Sequence, residues 1–115
     1  MRKLSGSTDG RLIKVAATGS PGTTIHTAQS GTTAGLFDKV FLQAVNTSAA
    51  PVLLTVQWGN TTAPDDSIPI TIPANSGLVW VVEGLILQNG AVVRAFAATT
   101  NVINVGGYVL QALVA

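Results

Sequence analysis

The chain has 115 residues, no cysteine, one histidine and a formal net charge of +1. The length fits one domain, the missing cysteines exclude disulfides and thiolate-bound metal, and the charge gives no electrostatic footprint for nucleic acid or an anionic membrane. Charged residues make up 10% of the chain, against about 25% in ordinary soluble domains. A composition this poor in charge fits a membrane protein or a protein whose surface is buried in an assembly. A spanning helix needs about 20 consecutive apolar residues, and no such run occurs. Even the uncharged tail Ala95–Ala115 is broken by Thr99, Thr100, Asn101, Asn104 and Gln111. Burial against a partner is the reading that remains.

In chain order, Met1–Gly10 is polar and Ser/Gly-containing, and is expected to be a mobile arm. Arg2 and Lys3 begin like a secretory leader, but Ser5–Gly10 follows where an apolar stretch belongs, so no leader is expected. Arg11–Ala17 (RLIKVAA) is a short strand and Thr18–Gly22 (TGSPG) a loop. The expected division is therefore an arm with a first short strand over 1–22, then a β-sandwich domain over 23–115. Thr23–Ala28 is a strand with Ile25 inward, and Gln29–Gly35 (QSGTTAG) is a loop. Lys39–Val45 is the next strand. Val52–Trp58 alternates cleanly, with Val52, Leu54, Val56 and Trp58 on one face and Thr55 and Gln57 on the other. Ser67–Ile72 alternates too, but Pro69 cannot donate to a ladder, which makes this an edge strand.

Leu78–Val82 leads into the stretch around which the chain looks organised, Gly84–Ala98 (GLILQNGAVVRAFAA). Asn89-Gly90 between two apolar runs is a strong signal for a two-residue type I′ hairpin, because both central positions need φ > 0. That hairpin sets Ile86 opposite Val93 and Leu85 opposite Arg94. It places Glu83, Leu85, Leu87, Val92, Arg94 and Phe96 on one face. Both faces are mainly apolar, so cover is expected on both sides. In the last strand, Val102–Leu113, Gly106-Gly107 marks a bulge or a close backbone approach. About eight short strands with turn signals between them predict an all-β, single-domain β-sandwich or jelly-roll-like barrel with a flexible N-terminal arm.

The sequence offers little for catalysis. His26 is the only histidine, there is no G-x-S-x-G elbow, and a lone histidine in a Thr-rich segment reads as a packing or surface residue. Asp65 and Asp66 are candidate calcium ligands, but only Asn60 stands nearby to help, so a solvated Pro-Asp-Asp turn is preferred. Glu83 and Arg94 form either an intersubunit salt bridge or an ordinary cross-strand pair. Trp58 and Trp80 are either stacking platforms for sugars or bases, or packing residues of a core or interface, and their apolar strands favour packing. No phosphate-binding glycine pattern occurs.

The stretches Ile25–Ala28 (IHTA), Leu36–Ser48 (LFDKVFLQAVNTS), Val56–Val79 (VQWGNTTAPDDSIPITIPANSGLV) and Leu85–Val109 (LILQNGAVVRAFAATTNVINVGGYV) resemble small virion structural proteins of tailed bacteriophages. In size the chain is similar to capsid decoration, or cement, proteins. The resemblance spans roughly Thr23 to Leu113 and is one of style and order, without a catalytic signature. It implies a compact β domain, usually a homotrimer, at three-fold points of an icosahedral shell. It also implies an N-terminal arm reaching onto the major capsid protein. On that basis the expectation is a non-enzymatic protein of the virion capsid surface with no cofactor or metal, and no nucleic-acid or membrane partner. Arg2, Lys3, Arg11 and Lys14 are the expected capsid-binding residues, and Trp80, Glu83 and Arg94 the expected intersubunit residues. A phage tail or head-fibre attachment protein and a carbohydrate-binding β-sandwich module are the alternatives.

Overall fold

A computed structural model describes residues 1–33 and 36–113. The loop expected over Gln29–Gly35 and the end of the expected 23–115 domain thus fall partly outside the described residues. Nine strands are present and no helix, among the described residues: β1 Arg2–Lys3, β2 Ile13–Lys14, β3 Thr23–Thr27, β4 Leu36–Asn46, β5 Val52–Gly59, β6 Ser67–Ile72, β7 Val79–Leu87, β8 Val92–Ala97 and β9 Ile103–Leu113. The first sheet runs β1-β9-β4-β7, with β2 also on β9; the second runs β3-β8-β5-β6. All pairings are antiparallel. This is a β-sandwich, without closure into a barrel.

Period-two alternation builds the core. In β4 the inward residues are Val40, Leu42 and Ala44; in β9 they are Ile103, Val105 and Val109. They meet Leu54 and Val56 of β5 and Val93, Ala95 and Ala97 of β8 in one buried cluster. β6, which carries Pro69, is an edge strand as its sequence requires. At Gly106-Gly107 the close approach occurs and the bulge does not: the β4–β9 register is unbroken from Leu36↔Leu113 to Asn46↔Ile103. A Cβ on Gly107 would run into the Phe41 carbonyl, and one on Gly106 into the Leu12 side chain.

The central hairpin does not form. Its turn does: Asn89 and Gly90 have φ of 62° and 68°, and the Ala91 amide donates to the Gln88 carbonyl at 3.3 Å. The strands on either side then separate. β7 pairs with β4 in the first sheet, and β8 lies between β3 and β5 in the second. Ile86 therefore does not face Val93, nor Leu85 Arg94. The run after the turn buries Val93, Ala95 and Ala97 in the core from the second sheet, whereas of the run before it Leu87 packs on the core and Leu85 and Ile86 stay exposed on the first. The corner is held by β3: the Ala28 amide donates to Ala91 O, and the Gly90 amide to Gln29 O, both at 2.9 Å. Within β7, register shifts at Gly84 (φ 93°) and at Val81 break the simple alternation. Glu83 aligns with Phe41 on the outside, while Leu85 aligns with inward Val40, so these two do not share a face.

The N-terminal segment is not a free arm. Arg2 and Lys3 pair with Val109 and Tyr108, and Leu4 is 1% exposed. The Gly6 amide donates to Ile25 O at 2.9 Å. The chain thus passes from β9 of the first sheet to β3 of the second and closes one side of the sandwich. Ile13 and Val15 add further core contacts, so residues 1–22 are integral to the fold.

Candidate functional site

The two outer faces of the sandwich differ. On the second sheet, Gln57 points away from the core yet is 2% exposed. The Ser20–Gly22 segment lies over it: the Gly22 amide donates to Gln57 Oε1 at 2.8 Å, and Gln57 Nε2 donates to Ser20 Oγ at 2.9 Å. Thr55 beside it is also buried. The outer face of the first sheet has no such cover. There Phe41 is central. Its ring stacks on Tyr108 (centroids 4.8 Å, interplanar 18°) and meets Trp80 edge-on (6.4 Å, 68°). Lys39 Nζ sits 5.7 Å from the Phe41 centroid, within cation–π range.

Backbone geometry makes room for this cluster. Gly84 leaves the space that the Lys39 and Phe41 side chains occupy, and Gly106 leaves room for Leu12. Trp80 (42%), Leu12 (50%) and Ile86 (54%) remain exposed despite their size. A shallow apolar depression of about 370 Å³, lined by Phe37, Ile86, Leu87 and Gln88, continues the face toward the Asn89-Gly90 corner.

Of the expected site residues, the structure brings four to this face. Trp80 and Glu83 align with Gln43 and Phe41, Lys3 with Tyr108, and Lys14 with Asn104. It separates the others. Arg94 is on β8, in the opposite sheet, at the register of Thr24 and Gln57, so of the two readings of Glu83 and Arg94 the cross-strand pair within one chain does not form. Arg11 is exposed in the β1–β2 connection, where its carbonyl accepts the Ser7 hydroxyl. Arg2 turns toward a cleft described below. Trp58 packs against the core, unlike Trp80. Asp66 braces its own loop by accepting the Thr62 amide at 3.2 Å. The described residues hold no cluster of three or more His, Asp or Glu suited to a metal ion.

Sequence reasoning missed one feature. His26 and Asp38 lie on strands of different sheets, and the fold brings them together: Nε2 is 2.8 Å from Asp38 Oδ2, with side chains 7% and 2% exposed. The Ser5 amide donates to His26 Nδ1 at 3.0 Å. An accepting Nδ1 requires that Nε2 carry the proton, so His26 is a neutral imidazole donating to Asp38. The Ser5 hydroxyl is turned elsewhere and accepts the Thr27 amide at 2.7 Å. With both ring nitrogens occupied, His26 has no position from which to take a proton from a hydroxyl. The arrangement ties the N-terminal segment to β3 and β4. The only advance signal was the coincidence of one histidine with an acid twelve residues on, in a strand whose alternation turns Asp38 inward.

No family model, no curated protein and no solved structure matches this chain.

Proposed function

We propose that this protein is a non-enzymatic structural module that works by docking the outer face of its first sheet against a neighbouring subunit. The observation that carries this reading is the open aromatic face: Trp80, Ile86 and Leu12 stay exposed around the stacked rings of Phe41 and Tyr108, whereas on the other side, where Leu53 is exposed, the chain folds a loop over Gln57. A contiguous apolar surface rimmed by polar residues marks an interaction site. The aromatic centre with lysines around it matches the composition of interface cores and rims.

The specific setting we infer from the resemblance is a bacteriophage capsid, where the protein would decorate the shell as a homotrimer and bridge major capsid protein subunits. Lys3, Lys14 and Lys39 rim the proposed face, and Trp80 and Glu83 sit on it. Arg2 and Arg11 lie off it, so a shell contact through all four N-terminal basic residues needs a surface that turns the sandwich edge. A module that binds only the assembled shell stabilises it by RT ln(1 + [L]/Kd) per site, about 2.7 kcal/mol at a hundredfold excess over Kd. Particles lacking the protein should lose DNA at a lower temperature. Purified protein should restore them, and Trp80→Asp should not. Equal robustness with and without the protein rules out shell stabilisation, and imaging that places the chain on the tail or a fibre selects the attachment role.

A further inference from the structure

The cleft beside His26 lies off the docking face and has unsatisfied groups of its own. It measures about 340 Å³ and is walled by Arg2, Lys3, Ser5, His26, Thr27, Gln29 and Asp38. We propose that it binds a small α-amino acid, with the ammonium on Asp38 Oδ1 and the carboxylate between Gln29 Nε2 and Arg2.

The reasoning starts from Asp38. Its Oδ2 accepts from His26 Nε2 at 2.8 Å and from the Gln29 amide at 3.3 Å. Its Oδ1 is buried and has no partner. Because His26 is neutral, the carboxylate lacks a counter-ion among its hydrogen-bond partners. A buried carboxylate without a cation is costly, and an ammonium group supplies both charge and donors. Gln29 gives the second constraint. Its Oε1 accepts from Gln111 Nε2 at 2.7 Å, which fixes the amide orientation and leaves Nε2 as a donor. That Nε2 is likewise buried and unpartnered. The third constraint is at the mouth. Lys3 Nζ is held by Ser7 O at 2.9 Å, whereas Arg2 makes no ion pair among the described residues.

The cleft therefore holds one carboxylate, a neutral amide donor, the Arg2 guanidinium and the Lys3 ammonium, the last engaged with Ser7 O. A simple cation leaves Gln29 and Arg2 unused, and a simple anion leaves Asp38 Oδ1 without a partner. A zwitterion with its charges one carbon apart satisfies all three groups. The volume lies at the small end of small-molecule sites, about 300–1,000 Å³, which restricts the side chain to something like that of glycine, alanine or serine.

The test is an amide-resolved NMR titration of the full chain with L-alanine, and separately with ethylamine and with acetate, at constant pH and ionic strength. L-Alanine should give saturable shifts centred on Ser5, Thr27, Gln29 and Asp38, with ethylamine and acetate at least tenfold weaker. Asp38→Asn keeps the shape and an acceptor for His26, and should weaken L-alanine at least tenfold. Gln29→Ala should weaken L-alanine and leave the weak binding of ethylamine unchanged. It also carries the test if Asp38→Asn fails to fold. Shifts that never saturate overturn the proposal. So does L-alanine affinity unchanged in whichever of these variants retains a dispersed native spectrum.

Discussion

The outer faces of the two sheets are built from the same kind of strand but are covered differently: on the second, Leu53 is exposed while Thr55 and Gln57 are sealed, and on the first an aromatic cluster stays at the surface. Gln57 and Thr55 on one side are sealed by the Ser20–Gly22 segment through two hydrogen bonds to the Gln57 amide. On the other side Phe41 packs on Trp80, Tyr108 and Lys39, and Trp80 stays 42% exposed. A chain that seals Gln57 and Thr55 under its own loop, and leaves an aromatic cluster at the surface, offers that cluster to something outside itself. Low overall charge, seen in the sequence, thus has a location in the fold.

The contrast can be tested by comparing positions on β4, β5 and β7. The largest effect belongs to the layer both faces share. Leu42 is fully buried between the sheets, and Leu42→Ala should lower stability by about 2–5 kcal/mol in urea unfolding. A smaller value would mean that the inner layer is looser than its packing shows. Next comes the covered face. Gln57→Ala leaves the half-buried Gly22 amide without its acceptor and frees the Ser20–Gly22 segment, at a cost of about 1–3 kcal/mol. Amide exchange at Gly22 should rise with it; unchanged exchange would mean the loop covers that face without Gln57.

On the open face the expectation reverses. Trp80→Asp should cost the monomer less stability than Leu42→Ala, since Trp80 is 42% exposed where Leu42 is fully buried. Its effect should fall on association instead. A large loss of stability would show that Trp80 serves the fold more than the surface. The smallest effect concerns Glu83 and Arg94. They lie in opposite sheets, so a double-mutant cycle through Glu83→Gln and Arg94→Gln in the free monomer should give a coupling within about 0.5 kcal/mol of zero. A larger coupling would restore the direct pair that their sequence positions suggest.

Much of this fold was legible in the sequence because much of it is local. Alternation in Val52–Trp58 marks β5, Pro69 marks an edge, and Gly106-Gly107 marks where β9 meets the Phe41 backbone. Asn89-Gly90 specifies a turn, and the turn is there. What the dipeptide does not specify is which strands pair after it. That choice depends on contacts distant in sequence: β8 is buried between β3 and β5, while β7 pairs with β4 and leaves Leu85 and Ile86 exposed. The same non-locality hid the site residues. Asp38 is only a neighbour of His26 in sequence until β3 and β4 bring the two side chains together, and Leu4 is an apolar residue in a mostly polar segment until its environment is known. Trp80 and Trp58 have similar sequence neighbourhoods; the register shift at Val81 belongs to the strand that leaves Trp80 outside.

Sedimentation equilibrium of the purified chain, wild type beside Trp80→Asp, tests the open-face claim most directly. At tens of micromolar, wild type should show a concentration-dependent species of three-chain mass, and Trp80→Asp should sediment as a single chain with an unchanged fold. A wild-type protein that stays a single chain across that range, or a Trp80→Asp variant that associates equally well, contradicts the assignment of this face as an assembly interface.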